Sequence, residues 1–307
     1  MEVPEVAEVA EVPVKRPAEE APADAPPSKE PRGDNGQPPA AEAPAAAGEP
    51  ARLEGKKRKV LLFLGYVGEG YQGMQRNPGA VTIEDALEEA FYAAGALSAA
   101  NKGDLRKVQY SRAARTDKGV SAVGQCVALK LHDTVGESSV VARVNEKLPT
   151  AIRVFGAVRV TGGFNAKNLC DRRRYKYVLP EWAFCREHLV PEARAAFRLP
   201  DAQLDRLNSL LSLFCGTHNF HNFTVRVKPT DPQARRYILA FDAGPAVEAH
   251  GTRLVVLTVL GQSFMLHQIR KMVGAVLGVM RGVLPATYIA EALASKQHRV
   301  RPGRDAR

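Results

Sequence analysis

A fold in which strands and helices alternate is predicted by three observations. Residues 59–66 form a dense apolar run and residues 123–132 alternate apolar with other side chains, the marks of pleated strands. Residues 82–97 and 201–214 place their apolar side chains three and four apart, which puts them on one helical face. Glycine-rich stretches such as 65–70 separate these segments, because glycine admits the backbone angles that tight turns need.

The composition falls into two regimes. Residues 1–54 hold twelve acidic and five basic residues, 11 of the chain's 21 prolines and no aromatic residue. Such a segment buries too little apolar surface to offset its ordering entropy, so a disordered tail is expected up to about residue 57. The whole chain carries a net charge of +10, so residues 55–307 alone carry about +17. A field of that sign favours a polyanion such as RNA. The pentamer G-K-K-R-K at 55–59 reads either as a nuclear import signal or as the solvated entrance to the first strand.

Four cysteines, Cys126, Cys170, Cys185 and Cys215, show no paired spacing, which points to reduced thiols in an intracellular protein. The longest apolar run, near 272–280, is too short to span a bilayer, and no basic amphipathic helix suggests a membrane surface. The N-terminus alternates glutamate with apolar residues, unlike a secretory signal or an arginine-rich presequence.

After the first strand, G-Y-V-G-E-G-Y-Q-G-M-Q at 65–75 has the wrong glycine spacing for a nucleotide-phosphate loop. Thr82 with Asp85 forms an approximate capping box for a helix whose apolar stripe runs from Ile83 to Leu97. Residues 107–111 and 123–132 read as two strands flanking a polar loop, followed by a helix at 138–148 and a strand at 151–160. In R-R-R-Y-K-Y at 172–177, alternation sends Tyr175 and Tyr177 to one face and Arg174 and Lys176 to the other. That pattern reads as an exposed basic strand with packed tyrosines, or as a surface for a base and its phosphates. Asp201 is the expected N-cap and Gly216 the stop of the next helix. Cys215, His218 and His221 stand three apart, yet no fourth zinc ligand is near and no metal site is expected. Strands at 235–242 and 252–261 precede a last helix, capped by Ser263, with an apolar face from Met265 to Met280.

The polar loop S-R-A-A-R-T-D-K-G-V-S-A-V-G-Q at 111–125 sets one carboxylate, Asp117, among Arg112, Arg115 and Lys118. By itself, Asp-Lys-Gly is a turn in which the aspartate bonds its own backbone. The block R-T-D-K-G-V-S-A, however, resembles the signature of the TruA-type pseudouridine synthases, with Asp117 at the position of the catalytic aspartate. The resemblance runs from residue 58 to about 298 through further blocks, among them V-T-G-G-F-N, G-T-H-N-F-H-N-F and F-M-L-H-Q-I-R-K-M-V-G. Its spelling is most similar to the eukaryotic branch that acts on several tRNA positions.

That resemblance implies an α+β fold: two similar halves, 58–170 and 171–307, sharing a long, largely antiparallel sheet, with an RNA-binding cleft at the seam. It implies isomerisation of uridine to pseudouridine without a cofactor, with tRNA, and also snRNA or mRNA, as substrate. Asp117 would be the nucleophile, Arg270 its cationic partner and Tyr175 the ring packed on the target base. Without the resemblance, Arg270 reads as a solvated cation. Arg115 would fill the space of the flipped nucleotide, Leu266 would line the pocket, and Arg112, Lys118, Arg174 and Lys176 would meet the RNA. A nuclear location with a mitochondrial or cytoplasmic pool, and a monomer or homodimer, are expected. The family pattern continues into an alanine-proline-glycine-leucine segment and a closing strand, where this chain reads S-K-Q-H-R-V-R-P-G-R-D-A-R. The expectation is a shortened C-terminus, which leaves a weak or inactive RNA-binding protein as the rival to an active synthase.

Overall fold

The computed structural model describes residues 56–133 and 139–295. The end of the chain at 296–307 and the expected disordered tail lie outside them, except Lys56 and Lys57, which belong to the first strand and correct the tail's expected end at 57. In order, the elements are β1 (Lys56–Tyr66), α1 (Ile83–Ala93), β2 (Ser111–Arg112), β3 (Ala122–Asp133), α2 (Val140–Lys147), β4 (Ile152–Arg159), α3 (Ala166–Leu169) and β5 (Arg173–Pro180). They continue as α4 (Pro191–Ala196), α5 (Asp201–Ser212), β6 (Gly216–Asn219), β7 (Arg235–Ala243), β8 (Val247–Ala249), β9 (Thr252–Gly261), α6 (Gln268–Met280) and α7 (Tyr288–Ala294).

The class is α+β, and every strand pairing is antiparallel. The ladder is not one long sheet. Strands in the order β2-β3-β1-β4 form a first sheet and β5-β9-β7-β6 a second, with β8 pairing to β9. The ladder stops between β2 and β5 because β2 is only two residues long before the chain turns into the polar loop.

Each sheet buries one face under helices. Val60, Leu62 and Leu64 of β1 alternate inward with Leu129 of β3 and Val154 of β4, against Leu87 and Phe91 of α1 and Val144 of α2. In the second sheet Val255, Leu257 and Val259 of β9 meet Leu211 of α5, Met272 and Val276 of α6, and a knot of Phe214, Phe220 and Phe223. On the uncovered face of the first sheet, Phe63 and Phe155 are exposed.

Local chemistry explains most boundaries. The Thr82 hydroxyl accepts from the Asp85 N–H and donates to the Asp85 carboxylate, a reciprocal cap for α1. The Ser139 hydroxyl accepts from the Ala142 N–H at the start of α2. Four expectations need correction. Residues 105–108 form a short 3-10 turn instead of a strand, because Gln109 takes a left-handed φ of 54° and breaks the extended run. Pro200 is the N-cap of α5, with Asp201 its first helical residue. Gly216 does not stop that helix, which ends at Ser212, but opens β6 with φ 96°. Residues 263–266 run ahead of α6 instead of inside it, with His267 at φ 59° as N-cap.

Candidate active site

Between β2 and β3 the chain leaves the sheet, and Asp117 sits in that excursion. The Val120 N–H donates to the Asp117 carbonyl at 3.1 Å, closing a turn that needs Gly119 at φ 73°. The loop connecting β1 to α1 clamps this turn. Met74 N–H donates to the Thr116 carbonyl at 3.1 Å, Gly119 N–H to the Tyr71 carbonyl at 3.2 Å, and Gly68 N–H to the Ser121 hydroxyl at 3.0 Å. The Tyr66 and Thr116 hydroxyls pair at 2.8 Å. The two loops run so close that a Cβ on Gly68 would fall 2.3 Å from the Val120 oxygen, and one on Gly73 would fall 2.9 Å from the Thr116 oxygen. Gly68 and Gly73 therefore serve contact with the Asp117 loop.

Two buried polar side chains fix the loop's root. Gln125 accepts from the Ala114 N–H at 3.3 Å and donates to the Ala114 carbonyl at 3.1 Å. Glu84 on α1 pairs with Arg112 at 2.6 Å and accepts from the Arg76 N–H at 2.9 Å. Glu84 escapes sequence reasoning because an acid in an amphipathic helix reads as a solvent-facing residue. Its signal is position: Glu84 and Glu88 lie four apart, beside Leu87 and Phe91 on the buried side.

The second sheet supplies the opposite wall. Tyr175 on β5 packs edge-on against Phe264, with ring centroids 5.3 Å apart. Burial pushes the Tyr175 phenol above its ordinary range; the Arg173 cation works against that rise, and the Asp117 charge adds to it. Burial likewise raises Tyr66, against hydrogen bonding to Thr116 and Gln125. Ahead of α6, the Met265 N–H donates to the Gln268 side-chain oxygen at 2.8 Å. The Thr224 hydroxyl donates to the Leu266 carbonyl at 2.8 Å, and Lys271 reaches the Thr224 carbonyl at 2.5 Å.

These walls enclose a cleft of about 700 Å³, within the range that holds a nucleotide-sized ligand. Asp117, Arg112 and Arg115 line it from the first sheet's loop. Tyr175, Lys176, Leu266 and Arg270 line it from the second. Lys118 and Arg174, the two other residues that the sequence singled out, are exposed and do not line it. Arg270 and Asp117 share the cleft without a direct ion pair among the described residues. The Cys215–His221 stretch turns inward: His218 bonds the Cys215 carbonyl at 2.8 Å and His221 the Asn219 side chain at 2.9 Å.

Among the described residues Asp117 is the one acidic residue lining a cleft that also holds Arg112, Arg115, Arg173 and Arg270. Fold and site together define an α+β protein with a one-carboxylate cleft suited to covalent chemistry on an anionic ligand, unlike the paired acids of glycoside hydrolysis. A family model described as tRNA pseudouridine synthase matches residues 210–306. The chain is 45% identical over 236 residues to the mouse pseudouridylate synthase 1 homolog, covering 76% of this chain and 55% of that protein. It is also 45% identical over 235 residues to the human pseudouridylate synthase 1 homolog, covering 75% and 54%. To tRNA pseudouridine synthase 1 of Saccharomyces cerevisiae it is 32% identical over 313 residues, covering 77% and 57%. The chain spans about half the length of the curated relatives it matches. It belongs to the TruA-type tRNA pseudouridine synthase family, on the side of the eukaryotic pseudouridylate synthase 1 proteins.

Proposed function

We propose that this protein isomerises uridine to pseudouridine in tRNA, with Asp117 as nucleophile. The observation that carries the reading is the meeting of Asp117, Tyr175 and Arg270 in one basic cleft from three distant parts of the chain. The reaction breaks the bond between uracil N1 and ribose C1′, turns the base, and joins C5 to C1′. C5 loses its proton and N1 gains one, so no electrons or cofactor are consumed. A carboxylate attacks either C1′ or base C6, and both routes pass through a covalent intermediate.

Each residue has a physical task in this reading. The arginines favour the ionised carboxylate once a base covers it, since an opposite charge offsets desolvation. The Tyr175 ring, held edge-on by Phe264, offers a face for the uracil to stack on. Arg115, exposed and lining the cleft, would occupy the space a flipped nucleotide leaves. Arg112, its charge largely balanced by Glu84, serves as a fixed hydrogen-bond donor in the wall.

The test is release of tritium from tRNA carrying C5-tritiated uridine. A synthase releases tritium and leaves a bond that resists base loss, a hydrolase leaves abasic ribose, and a non-catalytic RNA binder does neither. The same assay on snRNA and mRNA fragments measures the wider substrate range, and sedimentation of the enzyme distinguishes monomer from homodimer. A nuclear location, which a fluorescent fusion reads against a mitochondrial or cytoplasmic pool, rests on the pentamer at 55–59 alone, although residues 56–59 also open β1 and Lys59 is buried there.

A further inference from the structure

The two sheets have no ladder bond between β2 and β5, so something else must set their spacing across the cleft. At that junction stands Arg173, the first residue of β5. Its Nε and Nη2 donate to the Ala113 carbonyl at 3.2 and 2.7 Å. Its Nη1 donates to the Gln262 carbonyl at 2.5 Å and to the Cys170 carbonyl at 3.4 Å.

Each carbonyl belongs to a segment that carries a cleft residue. Ala113 stands four residues before Asp117 and is itself anchored to β3, its N–H donating to the Cys126 carbonyl at 2.9 Å. Gln262 follows β9, is tied back to the Tyr237 carbonyl at 3.1 Å, and begins the segment leading through Phe264 to Arg270. Tyr175 lies two residues along the strand from Arg173 itself. One planar guanidinium thus joins the approach to the nucleophile, the strand of the stacking ring and the lead-in to the active-site helix. Four of its five N–H donors are directed at neutral backbone oxygens, which leaves it poorly placed to grip a phosphate with a fork.

We propose that Arg173 is a positioning residue: its forked guanidinium sets the distance and angle between Asp117 on one side of the cleft and Tyr175 and Arg270 on the other. The proposal rests on the synthase reading above. Lysine would not replace it, because an ammonium lacks the fixed plane that reaches Ala113 and Gln262 at once. The fold should survive the loss, since each sheet packs its own apolar core.

The experiment compares wild type, Arg173→Ala and Arg173→Lys. Single-turnover tritium release at saturating tRNA should fall about 10²-fold in the alanine variant, because misplacing reacting groups by about 1 Å costs that much. The Kd for tRNA should rise no more than about threefold, and the lysine variant should recover only part of the rate. Guanidinium ion should restore the alanine variant by about tenfold over equal sodium chloride. A saturating rate within about threefold of wild type, with Kd raised tenfold, would make Arg173 a phosphate contact and overturn the proposal. So would full recovery by lysine.

Hydrogen exchange supplies a readout without turnover. Amides 113–117 and 262–265 should exchange faster in the alanine variant while the thermal midpoint of the protein changes little, and unchanged exchange there refutes the pin. Wild-type protein that releases no tritium would instead refute the synthase reading, and the exchange result would still decide the role of Arg173.

Discussion

Asp117 has little structural duty: its backbone closes the turn, while its carboxylate makes no ion pair among the described residues. Asp117→Ala should therefore abolish turnover, by roughly 10³-fold or more, with tRNA affinity within a few-fold and an unchanged melting curve. Tritium release and a filter-binding isotherm on one preparation measure both. Arg270 is exposed and unpaired with Asp117, so Arg270→Leu should leave Tm nearly unchanged while lowering the saturating rate by about 10²-fold. Arg270→Lys should recover part of that, and wild-type rates for the leucine variant would remove Arg270 from the mechanism. Away from the cleft, Glu181 is buried beside Arg253, 2.7 Å away. Burial raises its pKa, but hydrogen bonds from Arg253 and the Leu199 N–H outweigh that and leave it below the ordinary value. A carboxylate depressed on folding stabilises the protein above its unfolded pKa of about 4.3, and the gain is lost as pH falls through the folded value. Wild type should accordingly melt higher than Glu181→Gln at pH 7, with the gap closing below about pH 4.

The loop at 67–75 acts as a brace for the loop at 113–121, and its glycines decide how closely the two approach. Gly68→Ala would put a methyl against the Val120 backbone, which has little room to yield. Overpacking of that kind costs about 1–3 kcal/mol and should also slow turnover, since it pushes on the segment that holds Asp117. Gly156→Ala, where an added Cβ meets nothing within 4 Å, is the control and should change stability by less than about 0.5 kcal/mol. Equal melting curves for the two variants would mean that the brace yields freely. Glu84 extends the same support inward by joining α1 to both loops.

Across the whole molecule, about +17 of charge on residues 55–307 should make binding of the proposed tRNA substrate an electrostatic event. Affinity should fall by roughly 10³-fold between 50 and 200 mM salt if six or more phosphates are contacted. Removing the acidic residues 1–54 should not weaken it. A flat salt response would point to recognition of a small ligand instead. The open cleft between two separately packed sheets is consistent with such a docking surface, because neither core depends on the RNA for completion.

Most strands and helices, and the position of the polar loop between β2 and β3, were legible in the residues alone, since these depend on local terms. Period-two alternation placed β3, a hydroxyl three residues before a carboxylate placed the start of α1, and the block 115–122 marked Asp117. That reading failed at Gln109 and His267, non-glycine residues at a positive φ that no local preference announces. Packing over long range set the division of the sheet at β2, the inward turn of Glu84, and the exclusion of Lys118 and Arg174 from the cleft. It alone assigned Arg173 its place, because carbonyls at Ala113 and Gln262, 60 and 89 residues distant along the chain, come together only when both sheets have folded.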